Sequence, residues 1–323
     1  NVATGLKALL VTVNSQTSNL NYDWGALDPV TFTVTNPTII SGVGIVRTAD
    51  AVGSSVALNF TVAPAGRGVN IYAKDGGWSG DSTTWTKVVD NQVITSYADT
   101  ANTVGNGTAR FYKIIAAENS LQDSDLNAEV LGKFDLNILE GSNFVSLPLV
   151  QTTAAINTVI GNQLAGGAVS ASDKVYYFDS ASANWSQAFL NASGVWQGGL
   201  STVDADKGYF IARQAGQGTR QVTIVGSVNF ATTEAIGLTQ GSNMIGTIYS
   251  QSVTLSGSGL SSVLTSGSAA VADKVYHFDN ATQNWTQAYL SATGFSGPLT
   301  NLEPGKGYWV TDQLGPDTWN YTK

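Results

Sequence analysis

The chain has 323 residues, room for about two or three domains of roughly 100–200 residues each. Charged residues make up only 12%, the formal net charge is −8, and there are no cysteines. Disulfides, thiol catalysis and zinc–thiolate sites are therefore excluded. With only 15 Lys+Arg, nucleic acid is not expected as a partner, because phosphate binding needs clustered cations. Hydrophobic residues reach 42%, so the chain has the material for packed cores. Ser, Thr, Asn, Gly and Ala stand where charge would usually be, a surface suited to dense packing against copies of itself or against polysaccharide. No apolar run approaches the roughly 20 residues of a membrane-spanning helix. The start at Asn1 rather than Met is expected from removal of a signal peptide, which places the protein outside a bacterial or archaeal cell.

Residues 1–42 come first. Leu9, Val11 and Val13 alternate with Leu10 and Thr12, and Val30, Phe32 and Val34 alternate with Thr31, Thr33 and Thr35. Both stretches are strand-patterned and need a partner sheet, because an isolated pair of strands is marginal in water. They are expected to act as an assembly arm. Trp24 lies among turn residues here, as Trp78 and Trp196 do further on, and these three are the candidates for a sugar-stacking or subunit-contact surface.

Residues 43–132 read as a run of strands. Ser55-Val56-Ala57-Leu58-Asn59-Phe60-Thr61 alternates, Gly68-Val69-Asn70-Ile71-Tyr72 and Thr84-Trp85-Thr86-Lys87-Val88 follow, then Thr95-Ser96-Tyr97-Ala98-Asp99-Thr100 and Phe111-Tyr112-Lys113-Ile114-Ile115-Ala116-Ala117. In the last, Tyr112, Ile114 and Ala116 share one face by period two. This pattern resembles a fibronectin type III domain, with Phe60 near where that family usually has Trp. The resemblance implies a spacer or binding sandwich.

The remainder is an internal repeat. Asp173-Lys174-Val175-Tyr176-Tyr177-Phe178-Asp179 returns as Asp273-Lys274-Val275-Tyr276-His277-Phe278-Asp279, and Asn184-Trp185 returns as Asn284-Trp285. Lys207-Gly208-Tyr209-Phe210 returns as Lys306-Gly307-Tyr308-Trp309. Two homologous β-rich domains are expected, 133–226 and 227–323, each with one short helix, at 154–164 and 259–264. In phase across both repeats, Trp185, Trp285, Tyr209 and Tyr308 are expected in their cores. The Gly-x-Asn-x-(Val/Ile)-Ser-Leu-Pro opening at 141–148 and the Pro-Gly-Lys-Gly-Tyr-Trp-Val ending at 304–310 resemble a β-rich bacterial surface module. That resemblance implies an extracellular setting.

The expected fold is thus mainly β, tandem β-sandwich or barrel domains in series. His277, the only histidine, stands where the other repeat has Tyr177, so it reads as a packing position. No nucleophile elbow or phosphate loop is present, and no catalytic residue is assigned. Asp173, Asp273, Asp179 and Asp279 flank strands and read as turn formers. Asp75, Asp81, Asp123 and Asp125 lie on Gly- or Ser-rich loops and are the candidate calcium ligands, without full EF-hand spacing; no other cofactor is expected. Lys174, Lys274, Lys207 and Lys306 read as edge protection. The function expected is a self-assembling subunit of an extracellular filament, sheath or surface layer, with an adhesin or carbohydrate-binding spacer as the alternative.

Overall fold

The structure is a computed structural model that describes residues 37–48, 55–100 and 109–323. Residues 1–36 of the expected assembly arm, Trp24 among them, lie outside these, while residues 39–42 belong to the first strand of the sandwich. The protein is mainly β, built from several separate sheets.

Seven strands make the first two layers: β1 (Ile39–Arg47), β2 (Val56–Ala63), β3 (Val69–Asp75), β4 (Thr86–Gln92), β5 (Ser96–Asp99), β6 (Ala109–Ala116) and β7 (Leu131–Ile138). One sheet runs β1-β2-β5 and the other runs β4-β3-β6-β7. Alternation puts Val56, Leu58 and Phe60 of β2 inside, against Val69, Ile71 and Ala73 of β3 and Tyr112 and Ile114 of β6. The second sheet continues beyond β7 into β13 (Arg220–Ser227), which lies near the end of the first repeat.

The expected boundary at 132/133 falls inside β7, and the sheet runs on across it. Strand β7 pairs with β6 on one side and with β13 on the other, so it closes the sandwich and opens the repeat. Every residue of β6 is buried for the same reason. Tyr112 and Ile114 face the sandwich core, while Phe111 and Ile115 face the core of the first repeat, with Leu126, Phe134, Leu136, Val222 and Ile224. A sheet covered on both faces has no solvent side, so the charged residues it carries are bonded inside: Arg110 to Asp99, Lys113 to the Ala128 carbonyl and Asp135 to the Thr223 hydroxyl.

The first repeat adds β8 (Gly141–Val145), a one-turn helix α1 (Ile156–Val159), β9 (Lys174–Asp179), β10 (Asn184–Leu190), β11 (Trp196–Gly198) and β12 (Tyr209–Arg213). The second adds β14 (Thr233–Leu238), β15 (Gly241–Ile245), β16 (Val253–Thr254), β17 (Lys274–Asp279), β18 (Asn284–Ser291), β19 (Gly294–Ser296), β20 (Asn301–Leu302), β21 (Tyr308–Asp312) and β22 (Asp317–Thr322). Their five-stranded sheets have the same order, β11-β10-β9-β12-β8 and β19-β18-β17-β21-β15. Phe178 faces Trp185 as Phe278 faces Trp285, and Tyr177 faces Ser186 as His277 faces Thr286. Each five-stranded sheet covers a strand pair, β7/β13 in one repeat and β14/β22 in the other. The helix expected at 259–264 is a single 3-10 turn, Leu260–Ser262.

Candidate functional site

The first candidate is an open strand edge. Among the described residues β1 is the longest edge strand, nine residues, and has a partner only in β2. Several other edges are blunted: β11 and β19 have three residues each, β5 has four, β4 carries the Lys87–Asp90 ion pair and breaks in register, and the eight-residue β13 has its Thr223 N–H taken by Gln163 Oε1. The one charged residue of β1, Arg47, turns inward. Its Nη1 donates to the Val159 carbonyl at 2.6 Å and its Nη2 to Thr158 at 2.9 Å. Ile39 and Val46 are left 59% and 50% exposed. A bulge between Ser41 and Gly44, with Gly42 at φ +60, bends the strand and leaves Gly44–Arg47 in regular register with β2. Beside that regular half lies a cavity of about 390 Å³ whose apolar walls are Ile45, Val46, Leu131, Val150, Val159 and Val225.

The second candidate is the junction between repeats. Their five-stranded sheets meet through the faces that point away from their own cores, and the backbone contacts come in reciprocal pairs. Ser146 N–H donates to Gly305 O at 3.0 Å, and Gly246 N–H donates to Asp206 O at 2.8 Å. Gly307 N–H reaches Phe144 O and Gly208 N–H reaches Met244 O, while Val145 bridges Lys306 as Ile245 bridges Lys207. This is an isologous contact within one chain, as a two-fold dimer would make. It explains the Lys-Gly-Tyr repeat. A Cβ on Gly208 would sit 2.7 Å from Ile245 O, and one on Gly307 would sit 2.6 Å from the Phe144 ring and 2.8 Å from Val145 O, so only glycine lets the backbones meet. The neighbouring tyrosines fix the loops: Tyr209 Oη accepts from Asp204 N–H and Tyr308 Oη from Glu303 N–H, both at 2.7 Å. Lys207 pairs with Asp204 and Lys306 with Glu303, again both at 2.7 Å.

The junction also relocates two residues expected in the cores. Tyr209 and Tyr308 are buried there, but Trp185 and Trp285 are 53% and 48% exposed. Ala188, opposite Val175, points into the core, and Trp185 is three residues away on the same strand, hence on the other face. There it joins Phe144, Phe178 and Phe210 of its own repeat and Phe278, Trp285 and Trp309 of the other. Phe178 stacks on Trp309 at 5.4 Å, and Phe210 meets Phe278 and Trp285 edge-on at 6.0 Å.

The expected surface aromatics move the opposite way. Trp78 is half-buried, edge-on to Trp85, Phe111 and Phe230. Trp196 is half-buried and donates its indole N–H to Gly161 O at 3.0 Å. The four candidate calcium ligands are spent on protein donors. Asp75 and Asp99 hold Arg110, Asp81 caps the turn at Ser82–Thr84, Asp123 accepts from Ser82 N–H, and Asp125 accepts from Gln122 N–H. Among the described residues no group of three or more His, Cys, Asp or Glu side chains is placed to hold a metal. Asp179 and Asp279 cap their hairpin turns at Ala181 and Ala281 N–H. His277 is buried, its Nδ1 3.0 Å from Gly307 O, and its ring lies 5.4 Å from Tyr308, much as Tyr177 lies 5.6 Å from Tyr209. Burial holds its imidazole below the usual histidine range, reinforced by Lys306. No helix among the described residues is long and apolar enough to cross a membrane.

No family model matches this chain, and neither a characterised protein nor a solved structure is found to be similar to it.

Proposed function

We propose that this chain is an extracellular structural protein, a subunit that assembles with its own copies into a surface filament, sheath or layer through its N-terminal strands. The observation that carries the reading is the edge of β1: long, uncharged up to an Arg47 that turns inward, and bordered by an apolar groove. A strand laid on such an edge gains main-chain hydrogen bonds along its length, and pockets for alternate side chains set its register. The arm's Leu9, Val11, Val13 and Val30, Phe32, Val34 supply that alternation. An arm-to-edge contact is head-to-tail, and such contacts propagate when the rotation does not close a ring. Low surface charge limits the repulsion that stacked acidic subunits accumulate.

The seven-strand, two-sheet arrangement of β1–β7 supports the fibronectin type III resemblance and with it a spacer role. The absence of cysteine and the surface-module resemblance of the repeats fit an exported protein. Deleting residues 1–35 and following sedimentation velocity tests the proposal. The truncated chain is expected to remain a folded monomer where the full chain forms large species; equal polymerisation of both overturns the reading.

A further inference from the structure

At the junction of the repeats a groove of about 550 Å³ opens to solvent, within the roughly 300–1,000 Å³ range of small-ligand sites. Its walls are Trp185, Phe210, Tyr276, Trp285 and Trp309, with Gln287 and Thr311 as its polar members. Three features separate it from an ordinary apolar contact. Its tryptophans keep their indole N–H groups unpaired: Trp85, Trp196 and Trp319 each donate to a backbone carbonyl, whereas Trp185, Trp285 and Trp309 have no hydrogen-bond partner among the described residues. Two of these rings are about half exposed although large aromatic surface gains most from burial. Finally, no lining residue is charged, and the exposed Gln287 amide offers both a donor and an acceptor.

We infer that this groove binds a neutral polysaccharide. A pyranose ring has an apolar C–H face, which stacks on an aromatic ring, and a hydroxyl rim, which pairs with neutral donors and acceptors. Trp185 and Trp309, with centroids 6.0 Å apart and planes 32° from parallel, offer neighbouring ring surface for the first. Trp285, held edge-on between Phe210 and Tyr276, makes the facing wall. The free indole N–H groups and Gln287 serve the hydroxyls. An anionic polymer gains nothing here, since no cation lines the groove. The site needs both repeats, because Trp185 and Phe210 come from one and Tyr276, Trp285 and Trp309 from the other. The inference is independent of assembly through the arm.

The test is intrinsic tryptophan fluorescence of the full chain titrated with hydroxyethylcellulose, with dextran and galactomannan as further neutral polymers and alginate as the anionic control. A saturable change with at least one neutral polymer and none with alginate is expected. W185A/W285A should weaken that binding at least about tenfold, a loss of about 1.4 kcal/mol or more, while keeping the thermal unfolding midpoint within a few degrees. The gentler W185F/W285F retains the rings but not the N–H groups and should bind at an intermediate level, which keeps the test valid if the alanine pair misfolds. No response to any neutral polymer overturns the inference, as does equal binding by wild type and both variants. A response to alginate as strong as to the neutral polymers overturns it too. A groove that instead joins two copies would show as a sedimentation change in W185A/W285A with no saccharide response, again against the inference.

Discussion

The two repeats share strand order, hairpin turns and the tyrosine that braces each loop, yet they differ in how the end of the sheet is finished. In the first repeat Arg213 closes β12, donating to Asp173 at 2.7 Å and to the carbonyls of Gln217 and Gly218, with Arg213 and Asp173 themselves nearly removed from solvent. In the second, Asp312 takes the place of Arg213: Gly241 faces it across β15/β21 as Gly141 faces Arg213 across β8/β12. Asp312 caps its own turn through Leu314 and Gly315 N–H, and the Asp273 carboxylate keeps only the N–H of Thr265. The inner strand pair differs as well. Val222 and Ile224 of β13 are answered in β22 by Trp319 and Tyr321, stacked at 4.4 Å, with Tyr249 bonded to the Tyr321 carbonyl. A scaffold held by strand register tolerates such exchanges when charge and volume are rebalanced locally. What it cannot vary is the junction, where both repeats keep glycine.

The comparison can be broken most sharply at the buried ion pair. Arg213→Ala leaves Asp173 buried without its cation and is expected to cost about 3–5 kcal/mol in urea unfolding. Asp312→Ala removes a turn cap only and should cost about 1–2 kcal/mol. Equal losses would mean that the two ends are energetically alike despite their chemistry. The next effect is at the junction. Gly208→Ala and Gly307→Ala should each cost about 1–3 kcal/mol, because backbone oxygens and the Phe144 ring must move aside. Gly237→Ala, whose added Cβ meets nothing within 4 Å, should be neutral or stabilising by about 0.5–1 kcal/mol. Similar losses at all three would argue that close approach is not what glycine provides.

The smallest effect concerns His277 and Tyr177. Burial favours the neutral imidazole, so the folded state resists a proton that the unfolded chain accepts at about pH 6.5. Stability from this position is therefore present above that pH and lost as pH falls below it. Lys306 opposes the proton as well, while the Gly307 carbonyl, Glu303 and Asp279 favour it. His277→Tyr, which copies the first repeat, should match wild type near pH 8 and exceed it increasingly below about pH 6.5 in thermal unfolding. Parallel pH profiles would remove the histidine from the account.

Much of this was legible in the residues. The regular return of motifs between repeats predicted two alike sheets, and the exchange of Tyr177 for His277 predicted a packing site. The alternation in β2 read directly as a sandwich strand. The misplaced tryptophans came from weighing recurrence above parity. Val175, Ala188, Tyr209 and Ile211 lie on the core face by period two, which puts Phe178, Trp185 and Phe210 on the other. The shared sheet is marked by the run from Phe111 to Ala116, which is buried on both faces. The junction left its mark in the recurring Gly208 and Gly307, but which surfaces they bring together is not legible locally, because those surfaces lie far apart in sequence.

The assembly claim is tested most directly by complementation. A chain lacking residues 1–35 keeps the β1 edge and has no arm, whereas G44K/V46K keeps the arm and places two charges on the edge beside the groove. Sedimentation velocity of each alone should show monomers, and an equimolar mixture should form a capped one-to-one dimer and no polymer. A mixture that stays monomeric, or an arm-deleted chain that polymerises by itself, contradicts the account.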